Sequence, residues 1–249
     1  MHLLALLFLI PALLFSTQNS LIEKGDKLQF EGERADNFKS RENNFNQALA
    51  SYLVIASQPG VRSAPLSDSI GTLFFQLGET PWAIYYFEKA RALDPQNELY
   101  QNHLSLAQTK MGLQPPPQSW IDWTQPLPQK ISLLFWTLLL CIALWTVCIW
   151  KPSRFLKIAV YLSAGAAALA GLQLMVSAYL APIYGILIQG TGLYAAPGIN
   201  EPQILNIPLI MGSKLKVLEA IKEGYWLKVM EENGAIGYVP ASSIRLIAV

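Results

Sequence analysis

Between Leu21 and Leu113 apolar residues recur at spacings of three and four, as in Ala48, Leu49, Tyr52, Leu53 and again in Ala83, Ile84, Phe87, Ala90. That period places one apolar stripe on a helix, and strand-like alternation is absent, so the stretch predicts a helical module over 21–113. After Pro182 the period changes. Ile186-Leu187-Ile188, Leu215-Lys216-Val217, Trp226-Leu227-Lys228-Val229, Ile236-Gly237-Tyr238-Val239 and Ile244-Arg245-Leu246 are short β-prone runs divided by Gly, Pro and Asn turns, which predicts a small all-β barrel over 183–249. Between these regions, 131–150 and 158–182 contain no charged residue, and each is long enough to cross about 30 Å of hydrocarbon. They predict two transmembrane helices. At the front, the apolar run from Leu3 to Phe15 gives way to Ser16-Thr17-Gln18-Asn19-Ser20, the proportions of a signal peptide over 1–18, with an uncleaved anchor as the alternative.

Composition agrees with a chain partly in lipid: 52% of the 249 residues are hydrophobic and 14% charged, where globular domains carry about 25% charged residues. The connector 151–157 holds Lys151, Arg154 and Lys157 and no acid, which predicts a cytoplasmic loop with both ends of the hairpin outside. Ser163, Ala167 and Gly171 recur every four residues, a small-residue stripe suited to close transmembrane helix packing. Cys141 and Cys148 are seven residues apart in an apolar run. A helix separates such a pair by about 10 Å along its axis, too far for a disulfide, so both read as apolar filler. A net charge of +1 with no long basic cluster argues against nucleic acid as a partner.

Within the helical module, Ile70-Gly71, Phe74, Leu77-Gly78, Ala83, Phe87, Ala90 and Pro95 resemble, in order and spacing, a tetratricopeptide repeat. In that resemblance Gly71 and Ala83 are small where paired helices touch, Phe74 and Phe87 fill the gaps, and Asp94-Pro95 stops the second helix. Thr80 is expected as its N-cap, with Pro81 in the first position. A degraded earlier copy places Gly25 and Leu28 against Ala48 and Tyr52, with the polar run Glu31 to Asn44 as an insertion of about 11 residues. Glu98 to Met111 reads as the terminal capping helix that such stacks require. His103 has no metal-ligating neighbour within a turn and reads as a half-exposed helix residue. The segment 114–130, opening on Pro115-Pro116-Pro117, reads as a stiff linker.

In the C-terminal region, Tyr194-Ala195-Ala196-Pro197, Gly212 to Val217, Gly224-Tyr225-Trp226-Leu227-Lys228-Val229 and Asn233 to Pro240 resemble a bacterial SH3 domain. The resemblance makes Tyr194, Trp226, Tyr238 and Pro240 candidates for either an aromatic groove or the barrel core, and favours a core position for Trp226. Three readings stand: a structural barrel, a barrel that binds a protein segment, and one that binds a glycan peptide. The turn Glu231-Glu232-Asn233-Gly234 is expected to take positive φ at Asn-Gly.

The whole order of segments is similar to the repeat-containing membrane protein of the Bacteroides aerotolerance operon family (BatE-type). The resemblance implies a multi-domain membrane protein with an all-α tetratricopeptide-repeat module, two transmembrane helices and an all-β SH3-like barrel. It further implies a bacterial inner-membrane location with both modules periplasmic, and a scaffold role in envelope integrity or stress tolerance. Implied partners are the lipid bilayer, von Willebrand A-domain membrane proteins and, indirectly, a MoxR-type ATPase; peptidoglycan binding as a sensor or anchor is the alternative. The chain lacks GxxxxGK[ST], GxSxG, HExxH and Cys-x-x-Cys motifs, so the expectation is no enzyme activity, no cofactor and no metal.

Overall fold

The computed structural model describes residues 19–114, 182–205 and 207–247, together with scattered helical residues between 135 and 175. In the N-terminal part five helices follow one another: α1 over 19–33, α2 (Phe38–Ala56), α3 (Ala64–Gln76), α4 (Thr80–Leu93) and α5 (Glu98–Lys110). Local chemistry sets their ends. Asn37, Ser63 and Asn97 accept backbone N–H groups of the first turns of α2, α3 and α5, satisfying donors that a helix leaves open. α3 ends at Gly78, whose φ of +84° lets Gly78 N–H reach the Phe75 carbonyl and Glu79 N–H reach that of Phe74, closing the last turn. Thr80 is not the cap of α4. Glu79 holds that position, and the buried Thr80 hydroxyl donates back to the Gly78 carbonyl at 3.5 Å instead of accepting an N–H of the first turn.

Helices pair through small-against-aromatic contacts. Gly71 of α3 leaves space that a Cβ would lose to the Phe87 ring, only 2.6 Å away, and Gly25 of α1 does the same for Tyr52 of α2. Most of the polar run Glu31 to Asn44 continues the end of α1 and the start of α2, and only 34–37 form the link between them. The first two pairs share a core of Phe45, Ala48, Leu49, Tyr52, Ile55, Ile70 and Leu73.

The C-terminal part is a five-stranded antiparallel sheet of β1 (Ile183–Leu187), β2 (Lys214–Ile221), β3 (Trp226–Met230), β4 (Ile236–Pro240) and β5 (Ile244–Leu246), in the order β4-β3-β2-β1-β5. A 3-10 turn, Ala241–Ser243, joins β4 to β5. Leu187, Leu215, Leu227, Val229, Val239 and Ile244 alternate onto the inner face, as the period of two requires. In the β3–β4 turn only Gly234 takes positive φ. Asn233 instead accepts the Ala235 N–H through Oδ1.

These observations correct the expected architecture. The chain divides into one compact unit of residues 1–115 with 183–249 and a second of 116–182, so the helices and the sheet are not separate domains but one mixed helix-and-sheet body. Among the described residues no helix is long and apolar enough to cross a membrane. The longest, α2 with 19 residues, carries Lys39, Arg41 and Glu42, charges that are costly in hydrocarbon. The multi-domain membrane fold and the multi-pass inner-membrane location with periplasmic modules are therefore not supported. The expected spans 131–150 and 158–182 lie mostly outside the described residues, and the signal peptide 1–18, the loop 151–157 and the linker beyond Gln114 lie wholly outside.

The tight Gly71–Phe87 approach gives a direct test. Gly71→Val must displace a buried ring, and overpacking of this kind costs about 1 to 3 kcal/mol. Urea unfolding followed by helical circular dichroism should show that loss, whereas an unchanged midpoint would mean that α3 and α4 are not this close.

Candidate ligand-binding face and the helix–sheet seam

Strand alternation divides the sheet into two faces, and the outer face carries the candidate site. Leu227 and Val229 point inward, so Trp226, Lys228 and Met230 point outward. Gly237 and Val239 are likewise buried, leaving Ile236, Tyr238 and Pro240 outside. Register brings the outward residues together, with Trp226 opposite Pro240 and Lys228 opposite Tyr238. The loop after β1 then adds Tyr194 to the edge of β4, where Tyr194 and Tyr238 exchange both backbone hydrogen bonds at 2.8 and 2.9 Å. Gly237 permits this crossing, because a Cβ there would stand 2.8 Å from the Tyr194 carbonyl oxygen. The Tyr194 and Trp226 rings meet edge to face with centroids 5.7 Å apart. Tyr194, Trp226, Tyr238 and Pro240 all remain half-buried, and Tyr225 beside them is 73% exposed. Trp226 thus lies outside the core, in contrast to the core position that the bacterial SH3 resemblance favours. The loop on this side is fastened by Lys222, whose ammonium donates to the Pro197 carbonyl at 2.5 Å.

At the other end of the strand order one transverse row of the same outer face meets the helices, while Lys216 and Glu219 further along β2 stay exposed. Ile186 lies opposite Lys214 on one side and Arg245 on the other, so β2, β1 and β5 present a transverse row of cation, isoleucine, cation. Ile186 and Ile188 are buried with Ala83, Ile84, Phe87, Leu104 and Ala107 of α4 and α5. At one end of the row Lys214 donates to Glu88 Oε2 at 3.1 Å, and Arg91 donates to the same oxygen at 2.8 Å. The Glu88 side chain is 3% exposed. At the other end the Arg245 guanidinium lies 5.5 Å over the Trp82 ring. Trp82 in turn stacks on Phe74, and Phe74 on Tyr86; burial pushes the Tyr86 hydroxyl up to about 12, so it remains protonated.

The repeat-packing residues distribute around these contacts. Ile70, Ala83, Phe87 and Ala90 are buried, with Gly71 against Phe87. Phe74 and Leu77 flank the first core half-buried, Gly78 makes the turn, and Pro95 follows the end of α4. Of the small-residue stripe, Ala167 and Gly171 are helical and Ser163 lies outside the described residues. His103 has a partner that local spacing did not reveal. Its Nδ1 lies 2.8 Å from Asp68 Oδ1, across from α5 to α3, and its ring leans on Phe87 at 5.4 Å. Among the described residues no group of three His, Cys, Asp or Glu side chains is placed to hold a metal ion.

No family model, no curated protein and no solved structure matches the chain. The resemblances to the tetratricopeptide, bacterial SH3 and BatE-type families therefore rest on the quoted residues alone.

Burial raises the Asp68 carboxyl above the usual carboxylate range, and the pull of His103 in the opposite direction is smaller. A carboxyl with a raised folded-state pKa holds its proton more tightly in the folded chain. Its contribution to stability is then present at acid pH and is lost as pH rises through the folded value. Asp68→Asn, which keeps an acceptor for His103 without the charge, should gain stability over the parent near neutrality. That gain should vanish below the normal carboxylate range of about pH 3.9. Urea melts across this range check it, and a pH-independent difference would contradict burial as the cause.

Proposed function

We propose that the chain is a non-catalytic adaptor that takes an extended protein segment across the outer face of β3 and β4. The observation that carries this reading is the half-buried set of Tyr194, Trp226, Tyr238 and Pro240, held in one place by register and by the Tyr194–Tyr238 bridge. Rigid aromatic rings with one exposed edge offer large contact area at small entropic cost, which suits recognition of a partner chain more than turnover of a substrate. The helices hold the opposite end of that face, so the binding end is presented on a fixed support. Von Willebrand A-domain proteins and a MoxR-type ATPase, implied by the family resemblance, are the first partners to seek.

A photo-crosslinking residue placed at Tyr225 in the full chain tests this in cells. Expected are discrete crosslinked proteins that fall by about tenfold when Trp226→Ala is added, the scale of a lost interface anchor. The variant should stay folded, losing about 1 kcal/mol with the edge-to-face contact, whereas Leu227→Ala in the core should lose about 2 to 5 kcal/mol. Absence of crosslinks above those from a position on the polar side of α2, such as Glu42, would overturn the adaptor reading. Sedimentation with purified sacculi that depends on Trp226 would replace it with wall binding.

A further inference from the structure

Helical hairpins stacked in an array expose an apolar face at the last helix, and that face has to be covered. Here α1 pairs with α2 and α3 with α4, while among the described residues of this compact unit no helix follows α5 to pair with it. The sequence suggests that α5 is itself the cap, with an outer polar side. Its inner residues show that it does not close the array alone: Leu104 and Ala107 are buried in one cluster with α4 and with Ile186 and Ile188 of the sheet. On α4, the neighbouring Ala83 and Ile84 are fully buried in the same cluster. Gly212, ahead of β2, comes close enough that a Cβ would stand 2.6 Å from Ile84 and 3.2 Å from Leu113.

We propose that the sheet is the terminal cap of the helical array, standing where the next helix of the stack would lie, and that Glu88 is the keystone joining the two into one folding unit. Three features separate this from casual contact. Small residues on the helices, Ala83 and Ala107, admit Ile186 and Ile188 deeply enough to be at most 9% exposed. The cross-strand row Lys214–Ile186–Arg245 matches α4 at Glu88, Ile84 and Trp82. A carboxylate as buried as Glu88 is costly unless paired, and one of its two cations, Lys214, comes from the sheet. Without the sheet, Glu88 would lose one of its two cations, and Leu104 and Ala107 of α5 would lose Ile186 and Ile188 from their buried cluster. This holds whatever ligand the aromatic face takes, and it fixes the spacing between that face and the array.

Hydrogen exchange on the full chain tests the proposal. Val239→Ala weakens the inner core of the sheet, which does not touch the helix cluster. If the sheet caps the array, exchange in α5 and in β3 should quicken by the same factor, within about twofold, as for one cooperative unit. If the variant unfolds the sheet altogether, α5 should lose its protection with it. Faster exchange in β3 with α5 unchanged, in either circumstance, would overturn the cap. Lys214→Met keeps the apolar contacts and strands Glu88 with one cation, and should quicken exchange in α5 and β1 by about fivefold or more. No change in α5 would remove Glu88 from its keystone role.

Discussion

The buried carboxylate of Glu88 is the point where the helices and the sheet of the compact unit are joined. Glu88 sits on α4 with its side chain 3% exposed, and it is neutralised by Arg91 from its own helix and Lys214 from a strand 126 residues away in sequence. Burying a charge is unfavourable unless partners replace its water, so the helix can bury Glu88 at low cost only where β2 arrives. The apolar contacts around Ile186 and Ile188 supply the attraction. The ion network supplies the register, because a shift of one residue along β1 would move Lys214 and Arg245 away from Glu88 and Trp82.

The sheet's outer face is consequently used twice. Around Ile186 and Ile188 it packs on the helices, and at β3 and β4 it keeps Tyr194, Trp226, Tyr238 and Pro240 half open. The inner face is left to a compact core of Leu187, Leu193, Leu215, Leu227, Val229 and Val239. With no disulfide to stabilise so short a sheet, support from the helical array is what allows an aromatic surface to remain uncovered without being needed for the core.

Local patterns were legible in the sequence and distant ones were not. The three-and-four spacing of Ala83, Ile84, Phe87 and Ala90 and the alternation in Trp226 to Val229 report periods of helix and strand that depend on neighbours alone. The tetratricopeptide resemblance made Gly71 a small contact position and Phe87 a gap filler, but that the two meet each other is visible only in the packing. Thr80 looked like a cap because its type and position fit, but the chain reversal at Gly78 moved the cap to Glu79. The face of Trp226 was decided by Leu227 and Val229 taking the core, a choice that register makes and composition does not. Asp68 with His103, and Glu88 with Lys214, are pairs 35 and 126 positions apart, and no spacing rule connects them. The apolar runs at 131–150 and 158–182 led to a membrane protein with independent modules; the described residues instead join the flanking helices and strands into one body.

The seam between helices and sheet depends on an energetic interaction between Glu88 and Lys214. A double-mutant cycle in the full chain, with Glu88→Gln and Lys214→Met measured by urea unfolding, reads that interaction without interference from the losses each variant causes alone. A coupling of about 1 to 3 kcal/mol is expected, as for residues in one buried network. Additive losses, agreeing within about 0.5 kcal/mol, would show that the sheet and the array do not meet through this pair.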